Sequence, residues 1–134
     1  MKRFLSFLFA LMLVVSIGIT GCDVISPSTL LTGDYPQDTQ ELVNTLRTAI
    51  ELPEDAADKP AAQARAREMI SEFAARYRRE EALNSRASYT TIRTALNALA
   101  GHYSSYPNRP VPEKLKARLQ KEFRQVEAAL KRGA

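Results

Sequence analysis

The sequence predicts an all-α protein, an up-down-up-down four-helix bundle behind a cleaved lipoprotein signal peptide and a short flexible tether. Three observations predict it. Apolar residues recur every three or four positions in four separate stretches, Pro or Gly punctuates the gaps, and no alternating apolar and polar run competes as a strand. Connections of roughly five to eight residues favour antiparallel neighbours.

Residues 1–21 read as a secretory leader. Lys2 and Arg3 form its charged start, Phe4 to Ile19 its apolar run, and Ile19-Thr20-Gly21 precede Cys22, the only cysteine. A branched residue, two small ones and then Cys match the lipobox at which a thiol is acylated and the chain is cut. As a helix the apolar run would span only roughly 24 Å, short of the roughly 30 Å of a hydrocarbon core. Cys22 is therefore expected as a lipid anchor, which leaves no partner for a disulfide within the mature chain.

Residues 22–37 carry Ser26, Pro27, Ser28, Thr29, Thr32, Gly33 and Pro36 without a sustained period, and read as a tether that contributes nothing to a core. Fully extended, such a segment reaches roughly 50 Å. The folded domain is expected over residues 38–134.

The first helix is expected to start at Asp38, as a cap, with Glu41 completing a capping-box-like pattern. Its buried stripe is Leu42, Val43, Leu46, Ala49 and Ile50, and Pro53 ends it. An acidic connection of Glu54, Asp55 and Asp58 leads to Pro60, which suits the first turn of the second helix. That helix buries Ala62, Ala66, Met69, Ile70, Phe73, Ala74 and Tyr77, and stops near Arg79.

The third helix starts at Ser85 or Ser88 and carries Tyr89, Ile92, Leu96, Leu99, Tyr103 and Tyr106 in steps of three and four before Pro107 stops it. Gly101 within it costs roughly 1 kcal/mol relative to Ala, which suggests a close helix contact. The fourth helix follows Pro110-Val111-Pro112, buries Leu115, Leu119, Phe123, Val126 and Leu130, and ends at Gly133.

Charge and composition exclude several function classes. Removal of the leader takes two of the 19 basic residues and none of the 15 acidic ones, leaving a formal charge of about +2, too weak for nucleic-acid binding. His102 is the sole histidine, and no Glu-x-x-His is present for a haem or paired-metal site. The acids Glu51, Glu54, Asp55 and Asp58 lack the alternating ligands and central glycine of a calcium loop. Glu80 and Glu81 have no nucleophile with a positioned base beside them, so no catalytic residues are assigned.

What remains suits binding. Arg76, Arg78 and Arg79 cluster at the end of the second helix, where they also complement its dipole. Arg109, Lys114, Lys116 and Arg118 surround the start of the fourth, where cations oppose the dipole and an acidic partner would favour them. Between the two helices lies the stretch from Tyr103 to Pro112, stiffened by three prolines. Tyr103 reads as core, whereas His102, Tyr106, Asn108 and Arg109 are candidates for partner contact, Tyr and Arg being frequent interface anchors.

Several strings resemble a known family. They are Leu31-Thr32-Gly33-Asp34-Tyr35, Asp38-Thr39, Leu46-Arg47 with Ala49-Ile50, Leu52-Pro53, Arg76-Tyr77-Arg78-Arg79, the run from Thr94 to Tyr103, and Ser104 to Pro110 followed by Pro112 to Leu119. Over essentially the whole mature domain these are similar to the small lumenal lipoproteins of photosystem II assembly and repair in cyanobacteria. The resemblance implies a monomeric four-helix bundle without cofactor or metal, lipid-anchored on the lumenal side of the thylakoid membrane. It implies transient binding to the smaller chlorophyll-binding inner antenna subunit of photosystem II, in complexes whose manganese-calcium cluster is absent or being built. The rival readings are a permanent extrinsic subunit of the active oxygen-evolving complex, a generic envelope lipoprotein that binds a partner, and an envelope hydrolase or metal carrier.

Overall fold

The computed structural model describes residues 30–134. The leader, Cys22 and the tether as far as residue 29 lie outside the described residues.

Four helices follow one another: α1 (Tyr35–Glu51), α2 (Lys59–Tyr77), α3 (Ala87–Ser105) and α4 (Glu113–Lys131), with a 3-10 turn at Glu81–Leu83 between α2 and α3. Each helix packs on the next, and α4 closes the ring on α1. Cross-helix pairs fix the directions. Gln40 bonds Glu127 while Glu51 bonds Gln120, so α1 and α4 are antiparallel. Asp38 meets Tyr77 while Glu41 meets Arg65, so α1 and α2 are antiparallel too.

The core is the expected apolar stripe of each helix. Leu42, Leu46, Ile50, Met69, Phe73, Ile92, Leu99, Leu119 and Phe123 are all fully or almost fully buried. Each such side chain contributes about 1.5 to 3 kcal/mol relative to exposure, and together they outweigh the modest propensity of helices this short. The α1–α2 and α3–α4 pairs interlock most extensively, and α2 touches α3 at the fewest places.

The first helix begins before the expected start. Asp34 is its cap, accepting from the Gln37 amide at 3.3 Å, with Pro36 in the first turn. Asp38 is not a cap. Its buried carboxylate points back to a strap, taking hydrogen bonds from the amides of Thr32 at 2.7 Å and Gly33 at 2.9 Å, the Thr32 hydroxyl at 2.7 Å and the Tyr77 hydroxyl. Glu41, the expected second half of the capping box, is exposed and lies 3.9 Å from Arg65.

The strap corrects the boundary drawn at residue 38. Leu31 and Tyr35 are buried in the core, and the Leu30 amide donates to Glu72 on α2 at 2.9 Å. Residues 30–37 thus belong to the folded unit, because two large apolar side chains among small polar ones suffice to hold them. Tyr35 sits in an aromatic cluster, edge-on to Tyr77 with ring centres 5.4 Å apart and 6.3 Å from both Phe73 and Tyr89. Its hydroxyl meets Ser88 at 3.0 Å.

That contact explains why neither serine starts the third helix. Ser88 lies inside α3, buried against Tyr35, and Ser85 bonds back to the Ala82 carbonyl at 3.4 Å, so Arg86 is the residue at the cap. Lys59, unnoticed in the acidic connection, is only 3% exposed. Its ammonium donates to the carbonyls of Ala49 at 2.8 Å and Leu52 at 2.9 Å and lies 3.2 Å from Glu54. It thereby closes the carboxyl end of α1, whose last carbonyls have no partner within the helix.

Smaller differences follow from helix register. Ala74 is exposed, Leu115 and Leu130 are only half-buried, and Val111 and Ala129 take up core positions instead. Gly101 faces solvent, and a Cβ built on it would meet nothing within 4 Å, so it marks no close helix contact. Tyr106 falls just past the end of α3 with φ −136°, which turns it out of the stripe.

Candidate docking site

The proline-stiffened corner joins α3 to α4. Its buried foot is Val111, 3% exposed, which pins the loop to the core while Ser104 through Pro110 stand in solvent. Tyr106 is the one large apolar side chain exposed among the described residues, at 48%. It is held in place. Its amide donates to the His102 carbonyl at 2.8 Å, and its carbonyl accepts from the Arg109 amide at 3.1 Å. The Arg109 guanidinium lies 5.3 Å from the centre of its ring, and the His102 ring 5.6 Å away.

His102 also approaches the Arg109 carbonyl through Nε2 at 3.3 Å, so it ties the end of α3 to the loop. The corner therefore presents an aromatic ring, a guanidinium and the Asn108 side chain on a backbone with little freedom left to lose, as an interface anchor requires.

The basic start of α4 is less free than its sequence suggests. Lys116 lies 3.3 Å from Glu113 and Arg118 3.0 Å from Glu122, both pairs within the helix, while Lys114 is exposed without an ion pair among the described residues. Such exposed pairs contribute little to stability and leave the positive potential largely intact.

The arginine cluster is not part of this corner. Arg76, Arg78 and Arg79 close α2 at the end of the bundle where α1 begins, whereas the corner sits at the opposite end, beside the α1–α2 connection. One 19-residue helix separates the two groups, roughly 28 Å. Arg76 packs beside the strap, its guanidinium 6.0 Å from the Tyr77 ring centre. Arg78 and Arg79 are exposed.

Two cations that the sequence reading passed over, Arg67 and Arg93, lie over tyrosine rings between these ends, 5.0 Å from Tyr103 and 5.7 Å from Tyr89. A signal for Arg93 was present: from Ala82 to Pro112 the chain carries no carboxylate, while Arg86, Arg93 and Arg109 fall within it.

Among the described residues no group of three or more metal-ligating side chains converges, and no helix is long and apolar enough to cross a membrane.

Comparison with known proteins identifies this scaffold. The family model described as Photosystem II Pbs27 matches residues 7–130. The chain is 55% identical over 134 residues to a Thermosynechococcus vestitus protein named photosystem II assembly factor lipoprotein Psb27, covering 100% of this chain and 98% of that one. It is 38% identical over 101 residues to the Arabidopsis thaliana photosystem II repair protein PSB27-H1, chloroplastic, covering 75% of this chain and 58% of that one. The solution structure of Psb27 from cyanobacterial photosystem II superimposes with a TM-score of 0.75 at 50% identity, covering 84% of this chain and 96% of that one. On whole-length identity and shared fold, the chain belongs to the Photosystem II Pbs27 family.

Proposed function

We propose that this protein is a non-catalytic factor of photosystem II assembly and repair, which binds the lumenal side of immature or damaged complexes and leaves when they mature. The observation that carries the reading is the identity to a relative named as an assembly factor, sustained across the whole of both chains. A relative named for repair supports the second half of it.

In the finer form of the proposal the partner is the smaller chlorophyll-binding inner antenna subunit, met before or during construction of the manganese-calcium cluster. The protein acts as a monomer, anchored through a lipid on Cys22 after residues 1–21 are removed. The corner of His102, Tyr106, Asn108 and Arg109, with Lys114 and the paired Lys116 and Arg118, supplies one docking surface. The exposed ring of Tyr106 and its stacked guanidinium support that assignment. Arg76, Arg78 and Arg79, at the far end, belong to a second contact or to none.

The test is which complexes retain a tagged copy. Recovery with inactive, manganese-depleted monomers is expected. Equal stoichiometry on active dimers would instead make it a permanent extrinsic subunit, and recovery with neither would end the photosystem reading.

A further inference from the structure

We infer that the seam between α2 and α3 is a docking groove for an acidic, partly apolar segment of a partner protein. This rests on the assembly reading and assigns a further face to it.

The two helices touch at the fewest places around the ring, and the gap is visible as two adjoining hollows of about 190 and 360 Å³. Both are bordered by Ile70 and Ala100, so they form one trench, from Arg78 and Tyr89 at one end to Ser104 and Pro107 at the other. Its floor is apolar, built from Phe73, Leu96 and the ring of Tyr103.

Tyr103 lines this trench, and its hydroxyl is buried in the protein without a hydrogen-bond partner among the described residues. A buried hydroxyl without a partner is costly, so docking that shifts the ring toward an acceptor would relieve it. Burial raises the Tyr103 pKa against the pull of Arg67, so the group stays a neutral donor.

The rim is cationic. Arg67, Arg78 and Arg93 border the trench, and among the described residues none of them is in an ion pair. The α3 wall has no carboxylate at all, and no acid lines either hollow; Glu68 and Glu72 lie elsewhere on α2, and Glu54 acts on Tyr103. Apolar groups recessed between unpaired guanidinium groups suit a narrow chain bearing apolar side chains flanked by carboxylates. A bilayer would meet protruding side chains instead of a trench.

The experiment uses the full mature chain and two probes: manganese-depleted photosystem II complexes, and a short amphipathic peptide of Leu and Glu followed by amide shifts. Asn97 lines the trench on its exposed side, so Asn97→Trp fills it without touching the core. Asn97→Trp and Arg93→Glu are each expected to weaken binding to the complexes by about ten-fold or more, with Arg93→Lys near wild type and Asn97→Arg at least as tight. Circular dichroism confirms the bundle in each. The peptide is expected to shift Asn97, Ala100 and Tyr103 together. If wild type binds the complexes while both disruptive variants bind equally well, the groove is not the docking face. Loss of wild-type binding to the complexes would sink the assembly reading, and the groove would then stand or fall on the peptide shifts. Peptide without effect, or the same residues moved only by phosphatidylglycerol vesicles, would overturn the groove as a protein site.

Discussion

The Tyr77 hydroxyl, at the end of α2, donates to the Asp38 carboxylate in the first turn of α1, and the same carboxylate gathers two amides and a hydroxyl from the strap. One buried anion thus joins two helices and a loop that share no regular hydrogen bonding. Burial alone would raise the Asp38 pKa, but the four donors together hold it below the ordinary carboxylate range. The Tyr77 hydroxyl, buried and beside that anion, is pushed well above its ordinary value.

Replacing this acceptor is expected to be expensive. Asp38→Ala should cost about 3 kcal/mol at pH 7, since it strands buried donors, and Tyr77→Phe about 1 to 2 kcal/mol. Because the folded pKa lies below the unfolded value of about 3.9, this stabilisation is present above that pH and lost as pH falls below about 4. Glu127, held low chiefly by its hydrogen bonds from Arg47 at 3.1 Å, loses its contribution in the same acid window. Urea melts from pH 7 to pH 2 should show a steep acid limb for wild type and a shallower one for Asp38→Ala.

Two glycines should respond in opposite directions. Gly101→Ala meets open space in the last turns of α3 and should stabilise by about 0.5 to 1 kcal/mol. Gly33 has φ +95°, and an added Cβ would press on the Arg76 guanidinium, so Gly33→Ala should destabilise by about 1 to 2 kcal/mol. Thermal melts of the pair decide it.

Core and groove leucines should also separate. Leu119 is fully buried, and Leu119→Ala should cost about 3 to 5 kcal/mol. Leu96, 5% exposed on the trench floor, has less surrounding packing to lose, so Leu96→Ala should cost nearer 2 kcal/mol. Equal losses in chemical denaturation would contradict the open seam.

At the corner, Tyr106→Ala and Arg109→Ala should each speed dissociation from manganese-depleted complexes by about 1 to 2 kcal/mol. Lys114→Glu should act mainly by slowing association and lowering its salt sensitivity. Lys116→Glu should do less, since Lys116 already lies 3.3 Å from Glu113. Stopped-flow binding at two ionic strengths distinguishes the two kinds of residue.

The lipid anchor is tested at its thiol. Cys22→Ala is expected to leave an unprocessed precursor or a protein released from the membrane fraction, read by immunoblot after fractionation. Unchanged size with unchanged retention would contradict the anchor.

The four helices were legible because a 3.6-residue period reports burial directly, as in Leu42, Leu46, Ala49 and Ile50. The polar groups inside were not. Asp38, Lys59 and Ser88 are buried on partners at Tyr77, Ala49 and Tyr35, and local sequence carries no mark of contacts made across the fold. The strap escaped for the same reason, Leu31 and Tyr35 being too few to show a period. Most of the docking candidates lie exposed, with His102 and Lys116 partly buried, yet no local rule could reveal that antiparallel packing sets Arg76, Arg78 and Arg79 at one end and Tyr106 at the other.

The strap would also shorten the tether expected behind a lipid anchor. A lipid on Cys22 would be joined to the first clamped residue, Leu30, by eight peptide steps, which extend to roughly 28 Å where the longer free segment would have reached roughly 50 Å. The space open to the domain would shrink with the cube of that radius, by roughly six-fold, and its local concentration at a membrane-embedded target would rise to match. The Asp38 clamp, at the opposite end of the bundle from the corner, would in this way govern how often both surfaces meet their partner.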